Sequence, residues 1–148
     1  MKAVILIGVQ ASGKSTFCKQ RFYDTHLRIN LDMLRTKHRE NLLLSACLEA
    51  KQNFVIDKTN PTVEERSKYI QPAKAHHFRV IGYYFQSKLE DALQRNSQRT
   101  GKAKIDERGV RGVYAKLQLP TFAEGFDELY YVRIDEKKEF IVENWKDE

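Results

Sequence analysis

Val4-Ile5-Leu6-Ile7-Gly8-Val9-Gln10-Ala11-Ser12-Gly13-Lys14-Ser15-Thr16 decides the fold of this chain. Val4 to Ile7 is an unbroken apolar run, as in a parallel strand buried on both faces. Gly8 to Ser15 then fits G-x-x-x-x-G-K-[ST] at every fixed position. Thr16 to Phe22 reads as a helix with Phe17, Cys18 and Phe22 on roughly one side. A strand that turns sharply into a helix N-terminus presents free backbone N–H groups to an anion. The glycines let the loop curl, Lys14 can reach β- and γ-phosphates, and the Ser15 hydroxyl suits Mg²⁺. The expected ligand is a nucleoside triphosphate, held by Gly8, Gln10, Ala11, Ser12, Gly13, Lys14, Ser15 and Thr16.

Working outward, 148 residues suit one domain with one core, and the whole of 1–148 reads as a single unit. A hydrophobic share of 41% against 31% charged residues fits a water-soluble globular chain. No apolar run approaches the roughly 20 residues a membrane span needs. The first strand begins at once, so no signal peptide is expected. Cys18 and Cys47 lack metal-ligand spacing and read as buried free thiols, so a cytoplasmic location is expected. A net charge of +6 favours polyanionic partners, although a nucleotide site needs cations in any case.

Strand and helix signals alternate along the rest of the chain. Residues 27–31 read as a second strand, Asp32 starts a helical stretch, and residues 40–52 form a leucine-rich helix. Asn53 to Asp57 is a third strand. Asn60-Pro61 has the pattern of an N-cap followed by proline at the first helical position, with that helix running to about Ala75. Phe78–Phe85 is a fourth strand and Leu89–Gln98 a helix; another helix spans about 106–117, and late strands are expected at 128–134 and 140–145. Repeated βα units predict an α/β fold, with a mainly parallel central sheet between helical layers. Ligands in such sheets sit at the carboxyl ends of the strands, which would bring Gly8, Asp32 and Asp57 into one crevice.

Asp57 ends the apolar run Phe54-Val55-Ile56, where a carboxylate can hold Mg²⁺ beside the loop hydroxyl; a helix-capping or turn aspartate is the plainer alternative. Asp32 and Arg35 lie three apart on one expected helical face. Asp32 could take a proton from an attacking hydroxyl and Arg35 could grip an acceptor phosphate, but an exposed ion pair has the same spacing. Arg95-Asn96-Ser97-Gln98-Arg99-Thr100-Gly101-Lys102-Ala103-Lys104 is either a solvated basic helix end or part of a lid, about 95–118, whose Arg95 and Arg99 cover the triphosphate. His76-His77 reads as a helix end, and Tyr83-Tyr84-Phe85 as core packing of an interior strand.

Together these segments resemble the kinase domain of the polynucleotide 5′-hydroxyl kinase family. Ile29-Asn30-Leu31-Asp32-Met33-Leu34-Arg35 is similar to its Asn-x-Asp-x-x-Arg acceptor segment, and Asp57-Lys58-Thr59-Asn60 to its Asp-x-Thr-Asn segment. Arg95-Asn96-Ser97-Gln98-Arg99 resembles its Arg-Asn-x-x-Arg lid, and Pro120 to Phe126 its Pro-Thr-x-x-Glu-Gly-Phe run. The resemblance implies a three-layer, adenylate-kinase-like P-loop NTPase with a helical lid, using ATP and Mg²⁺. It makes Asp32 the general base on a nucleic acid 5′-OH end and Arg35 the ligand of the acceptor's 3′-side phosphate. Lys14 and Arg99 would stabilise the transferring group, Ser15 would bind the metal, and Asp57 would support the metal or orient Arg35. Small-molecule phosphorylation, or nucleotide-dependent binding without transfer, uses similar modules and stays open. So do the oligomeric state and the choice between DNA and RNA ends.

Overall fold

The computed structural model describes residues 1–101 and 105–146; Lys102 and Lys104, part of the expected basic run, lie outside the described residues. Five strands run parallel: β1 (Lys2–Ile7), β2 (Leu27–Ile29), β3 (Phe54–Ile56), β4 (Arg79–Phe85) and β5 (Glu128–Ile134). A sixth, β6 (Phe140–Asn144), pairs antiparallel with β5, and the sheet order is β2-β3-β1-β4-β5-β6. Around it lie α1 (Lys14–Phe22), α2 (Leu31–Leu34), α3 (Lys37–Ala50), α4 (Val63–Ala75), α5 (Leu89–Ser97) and α6 (Glu107–Lys116). This is the α/β P-loop NTPase architecture.

Strand alternation explains the layers. Ala3, Ile5 and Ile7 of β1 pack with Leu44, Cys47 and Leu48 of α3 and Tyr69, Ile70 and Ala73 of α4. Val4 and Leu6 point the other way, onto Phe17, Cys18 and Phe22 of α1. With both faces covered, β1 has no polar side and reads as a continuous apolar run. A smaller cluster joins Val9 to Ala92 of α5 and Val110 of α6, so this helical pair is anchored at the phosphate loop. Both cysteines are buried free thiols, and Tyr84 and Phe85 are core residues. His76 caps α4 and His77 adopts φ +63°, the helix-end pair that was expected.

Three local expectations are corrected. Asn60 does not cap α4: the cap is Thr62, whose Oγ1 accepts from Glu65 N at 3.1 Å. Asn60 is buried at φ +45°, and its Nδ2 donates to Leu6 O at 2.7 Å. A buried strand-end carbonyl without a donor costs more than a lost cap, and Asn60 meets that need. The second strand stops at Ile29, because Asn30 caps α2 by accepting from Met33 N at 2.9 Å. Finally, α2 is one turn long and Arg35 ends it at φ +72°, so Asp32 and Arg35 do not share a continuing helical face.

Candidate active site

The phosphate loop is shaped by two glycines. Gly8 has φ +155°, and a Cβ there would meet Phe85 and Ser12; Gly13 has φ +99°, and its Cβ would strike Phe140. Ala11 also takes a left-handed φ, +62°. Gly8 N donates to Thr59 O at 3.0 Å, joining the loop to the segment that follows Asp57. Ser12 Oγ donates to Val9 O at 2.8 Å, inside the loop.

Lys14 folds back over this loop. Its ammonium donates to Val9 O at 2.6 Å and to Gly8 O at 2.9 Å, with Ser12 Oγ at 3.4 Å. Burial lowers its pKa to about 7; Asp57 opposes that shift and Arg99 adds to it. A cation held this weakly protonated gains from an incoming triphosphate, which restores an anionic partner. Gln10 brings a buried Oε1 that has no hydrogen-bond partner among the described residues. An amide so placed can turn its Nε2 toward a phosphate oxygen.

At the pair expected to hold the metal, Ser15 Oγ donates to Asp57 Oδ2 at 2.9 Å. Asp57 is almost wholly buried, at 2% exposure, and Arg28 Nε donates to the same Oδ2 at 2.8 Å. Arg28 Nη2 lies 3.3 Å from Ser15 Oγ. A hydroxyl and a carboxylate at this spacing are hard oxygen donors of the kind Mg²⁺ takes, so the residues fit that ion. Asn30 Nδ2 donates to Asp57 O at 2.8 Å, tying the segment that carries Asp32 to the end of β3.

A cavity of about 280 Å³ gathers Lys14, Ser15, Asp32, Asp57 and Arg99, with Gln10 and Ala11 at the loop. Gly8, Ser12 and Gly13 shape the loop behind it, and Thr16 lies exposed in the first turn of α1. Arg95 sits beside the loop, its Nη1 3.5 Å from Ala11 O. Arg35 is exposed and is not part of the cavity wall. Asn96, buried between the two arginines, donates to Ile105 O at 2.5 Å and accepts from Ile105 N at 2.9 Å. That clamp joins the end of α5 to the approach to α6.

Residue-type reasoning missed Arg28, Asn96 and a second cavity. Arg28 had a signal: a charge between Leu27 and Ile29 must face away from the layer that buries Ile29. The second cavity, about 490 Å³, shares Leu31, Lys58 and Thr59 with the first and carries Lys37, Lys68 and Glu65. Lys58 Nζ donates to the Tyr69 hydroxyl at 2.6 Å, and that hydroxyl donates to Glu40. Burial, followed by the bond to Glu40, pushes the Tyr69 pKa up, so the phenol stays protonated.

The sequence pattern of one protein family, described as AAA domain, matches residues 35–120, more than half of the chain. The chain belongs to this family. The matched span starts after the phosphate loop and takes in Asp57, Arg95 and Arg99. The AAA domain chain is 31% identical, over 127 residues and 83% of its length, to a bifunctional polynucleotide phosphatase/kinase of Schizosaccharomyces pombe. It covers 31% of that relative, and spans between 22% and 36% of the curated relatives it matches. Among solved structures, Chaetomium thermophilum Kti12 in complex with ADP-AlF3 matches with TM-score 0.68 at 14% identity, covering 92% of each chain. A gluconokinase from Sinorhizobium meliloti matches with TM-score 0.61 at 16% identity, over 89% of this chain and 82% of that one. Likeness at these identities is likeness of fold.

Proposed function

We propose that this chain is an ATP-dependent polynucleotide 5′-hydroxyl kinase, transferring the γ-phosphate of ATP to the 5′-OH of a DNA or RNA end. The observation that carries the reading is one cavity holding both Lys14 and Asp32. A phosphate-binding cation thus faces a carboxylate able to take a hydroxyl proton. The curated polynucleotide kinase relative supports the acceptor class.

The triphosphate lies along the loop from Gly8 to Thr16. Lys14 exchanges its carbonyl contacts for β- and γ-phosphate oxygens. Asp32 accepts the proton of the 5′-hydroxyl as its oxygen bonds to the γ-phosphorus; the bond from that phosphorus to the β–γ bridging oxygen breaks, and ADP leaves. Arg99, from the cavity wall, and Arg95, beside Ala11, offset charge that builds on the transferring group. Ser15 and Asp57 would hold Mg²⁺, which when bound neutralises phosphate charge. Arg35, exposed at the end of α2, receives the phosphate on the 3′ side of the acceptor nucleoside. Most of the catalysis then comes from positioning and preorganised charge.

The test is incubation with γ-labelled ATP, Mg²⁺ and 5′-OH oligonucleotides, beside free nucleosides and phosphorylated metabolites. Label on the oligonucleotides is expected. Label on a small molecule alone, or none from protein that binds ATP, overturns the acceptor assignment.

A further inference from the structure

The metal-side pair Ser15–Asp57 already holds a cation, and it belongs to the protein. Arg28 is the middle residue of β2, opposite in facing to the fully buried Ile29. Its Nε donates to Asp57 Oδ2 at 2.8 Å and its Nη2 to Ser15 Oγ at 3.3 Å, while Nη1 lies 4.0 Å from Met33 Sδ on α2. The guanidinium therefore touches both candidate metal-ligating oxygens and the element that carries Asp32.

A carboxylate as buried as Asp57 needs a compensating charge. Lys14 feels Asp57 electrostatically, yet its ammonium donates to the carbonyls of Gly8 and Val9. Arg28 is in direct contact with the carboxylate, and its side chain remains 38% exposed, so it has an open path to withdraw. A divalent cation approaching Ser15 Oγ meets this positive group at hydrogen-bond range. Two like-charged partners cannot share one oxygen pair without strong repulsion.

We propose that Arg28 is a positioning residue that acts as a resident cation on the Ser15–Asp57 pair, fixing its spacing in the nucleotide-free protein and setting how tightly a divalent cation binds. Arg28 must leave before such an ion reaches Ser15, so metal binding is coupled to arrival of the triphosphate, whose negative charge offsets the exchange. The proposal rests on reading Ser15 and Asp57 as the metal side of a triphosphate site. It does not depend on which acceptor is phosphorylated.

The experiment uses the whole chain without acceptor, with Mn²⁺ as the probe, measured by electron paramagnetic resonance with and without an unreactive ATP analogue. Arg28→Gln keeps hydrogen-bonding capacity and removes the charge; losing one charged hydrogen bond that competes with the ion should tighten Mn²⁺ binding about tenfold or more. Arg28→Lys retains the charge and should stay close to wild type. Unchanged or weaker Mn²⁺ binding by a folded Arg28→Gln protein overturns the proposal. Should that variant not fold, the wild-type chain decides by the ¹⁵Nε resonance of Arg28, assigned by its loss in Arg28→Lys. Saturating Mg²⁺ with the analogue is expected to shift that resonance, and an unmoved signal overturns the proposal.

Discussion

Glu124 and Arg66 form a two-pronged ion pair inside the protein, with Arg66 Nε 2.7 Å from Glu124 Oε1 and Nη2 3.2 Å from Oε2. Arg66 has no exposed side-chain surface and that of Glu124 is 5% exposed. The third arm of the guanidinium, Nη1, donates to Asn60 O at 2.9 Å, and Asn60 Nδ2 donates to Leu6 O at the end of β1. A line of polar contacts thus runs from the Pro-Thr-x-x-Glu-Gly-Phe segment to the strand that launches the phosphate loop. Removing one partner leaves an uncompensated buried charge. Glu124→Gln should lose about 3–5 kcal/mol of stability in urea unfolding. A loss under about 1 kcal/mol, the size of an exposed pair, would contradict the buried role.

Lys14 makes the nucleotide-free protein pH-sensitive. Its pKa falls from 10.5 to about 7 on folding, chiefly through burial. Between those values the unfolded chain binds the extra proton, so this group makes stability rise with pH from about 7 to 10.5; below 7 its burial penalty is felt in full. Lys14→Met should raise the melting temperature of the nucleotide-free protein at pH 7 and flatten that rise. Activity should drop by roughly a hundredfold or more, as when a charge-stabilising donor is lost. In the wild type, a triphosphate beside Lys14 raises its pKa again, so ATP binding at pH 8 should take up protons. Calorimetry in buffers of different ionisation enthalpy reads this directly, and proton release would contradict it.

The role proposed for Asp32 separates chemistry from binding. Asp32→Asn keeps the shape and cannot accept a proton, so kcat should fall by about 10²–10⁴ with the Kd for ATP unchanged. Single-turnover assays with prebound ATP distinguish the two. A variant that loses ATP affinity and rate in step would make Asp32 a nucleotide ligand.

Much of this arrangement is legible in the chain because local signals agree with tertiary demands. Gly8 to Ser15 and the apolar Val4–Ile7 run name the strand, the loop and the helix, and β5 falls where expected, at Glu128–Ile134. The misreadings share a feature: a polar side chain met a group far away in the sequence. Asn60 reads locally as a cap, but Leu6 O, 54 residues away, claims its amide. Arg35 reads as the next face of a helix, yet α2 starts at Asn30, held by Asp57 O, and ends after one turn with Arg35 at φ +72°. Arg28 reads as a strand charge because its partners, Ser15 and Asp57, lie 13 and 29 residues away. Side-chain capture across the fold has no period, so window-based reading does not see it.

The last prediction concerns the lysines of the second cavity. Lys37 stands at the first position of α3, where the helix field disfavours a cation, and Lys68 projects from α4 into the same space. Neither forms an ion pair among the described residues. The cavity shares Leu31, Lys58 and Thr59 with the Asp32 cavity; under the proposed function, an acceptor strand with its 5′ end at Asp32 would run its phosphates past both lysines. Lys37→Glu with Lys68→Glu should raise the KM for oligonucleotides while leaving that for ATP unchanged. The salt dependence of oligonucleotide binding should flatten by roughly 0.7 in log–log slope per lysine lost on single strands. An unchanged slope would take the strand off this face, whatever became of the KM, because released counterions report phosphate contacts and a local packing fault does not.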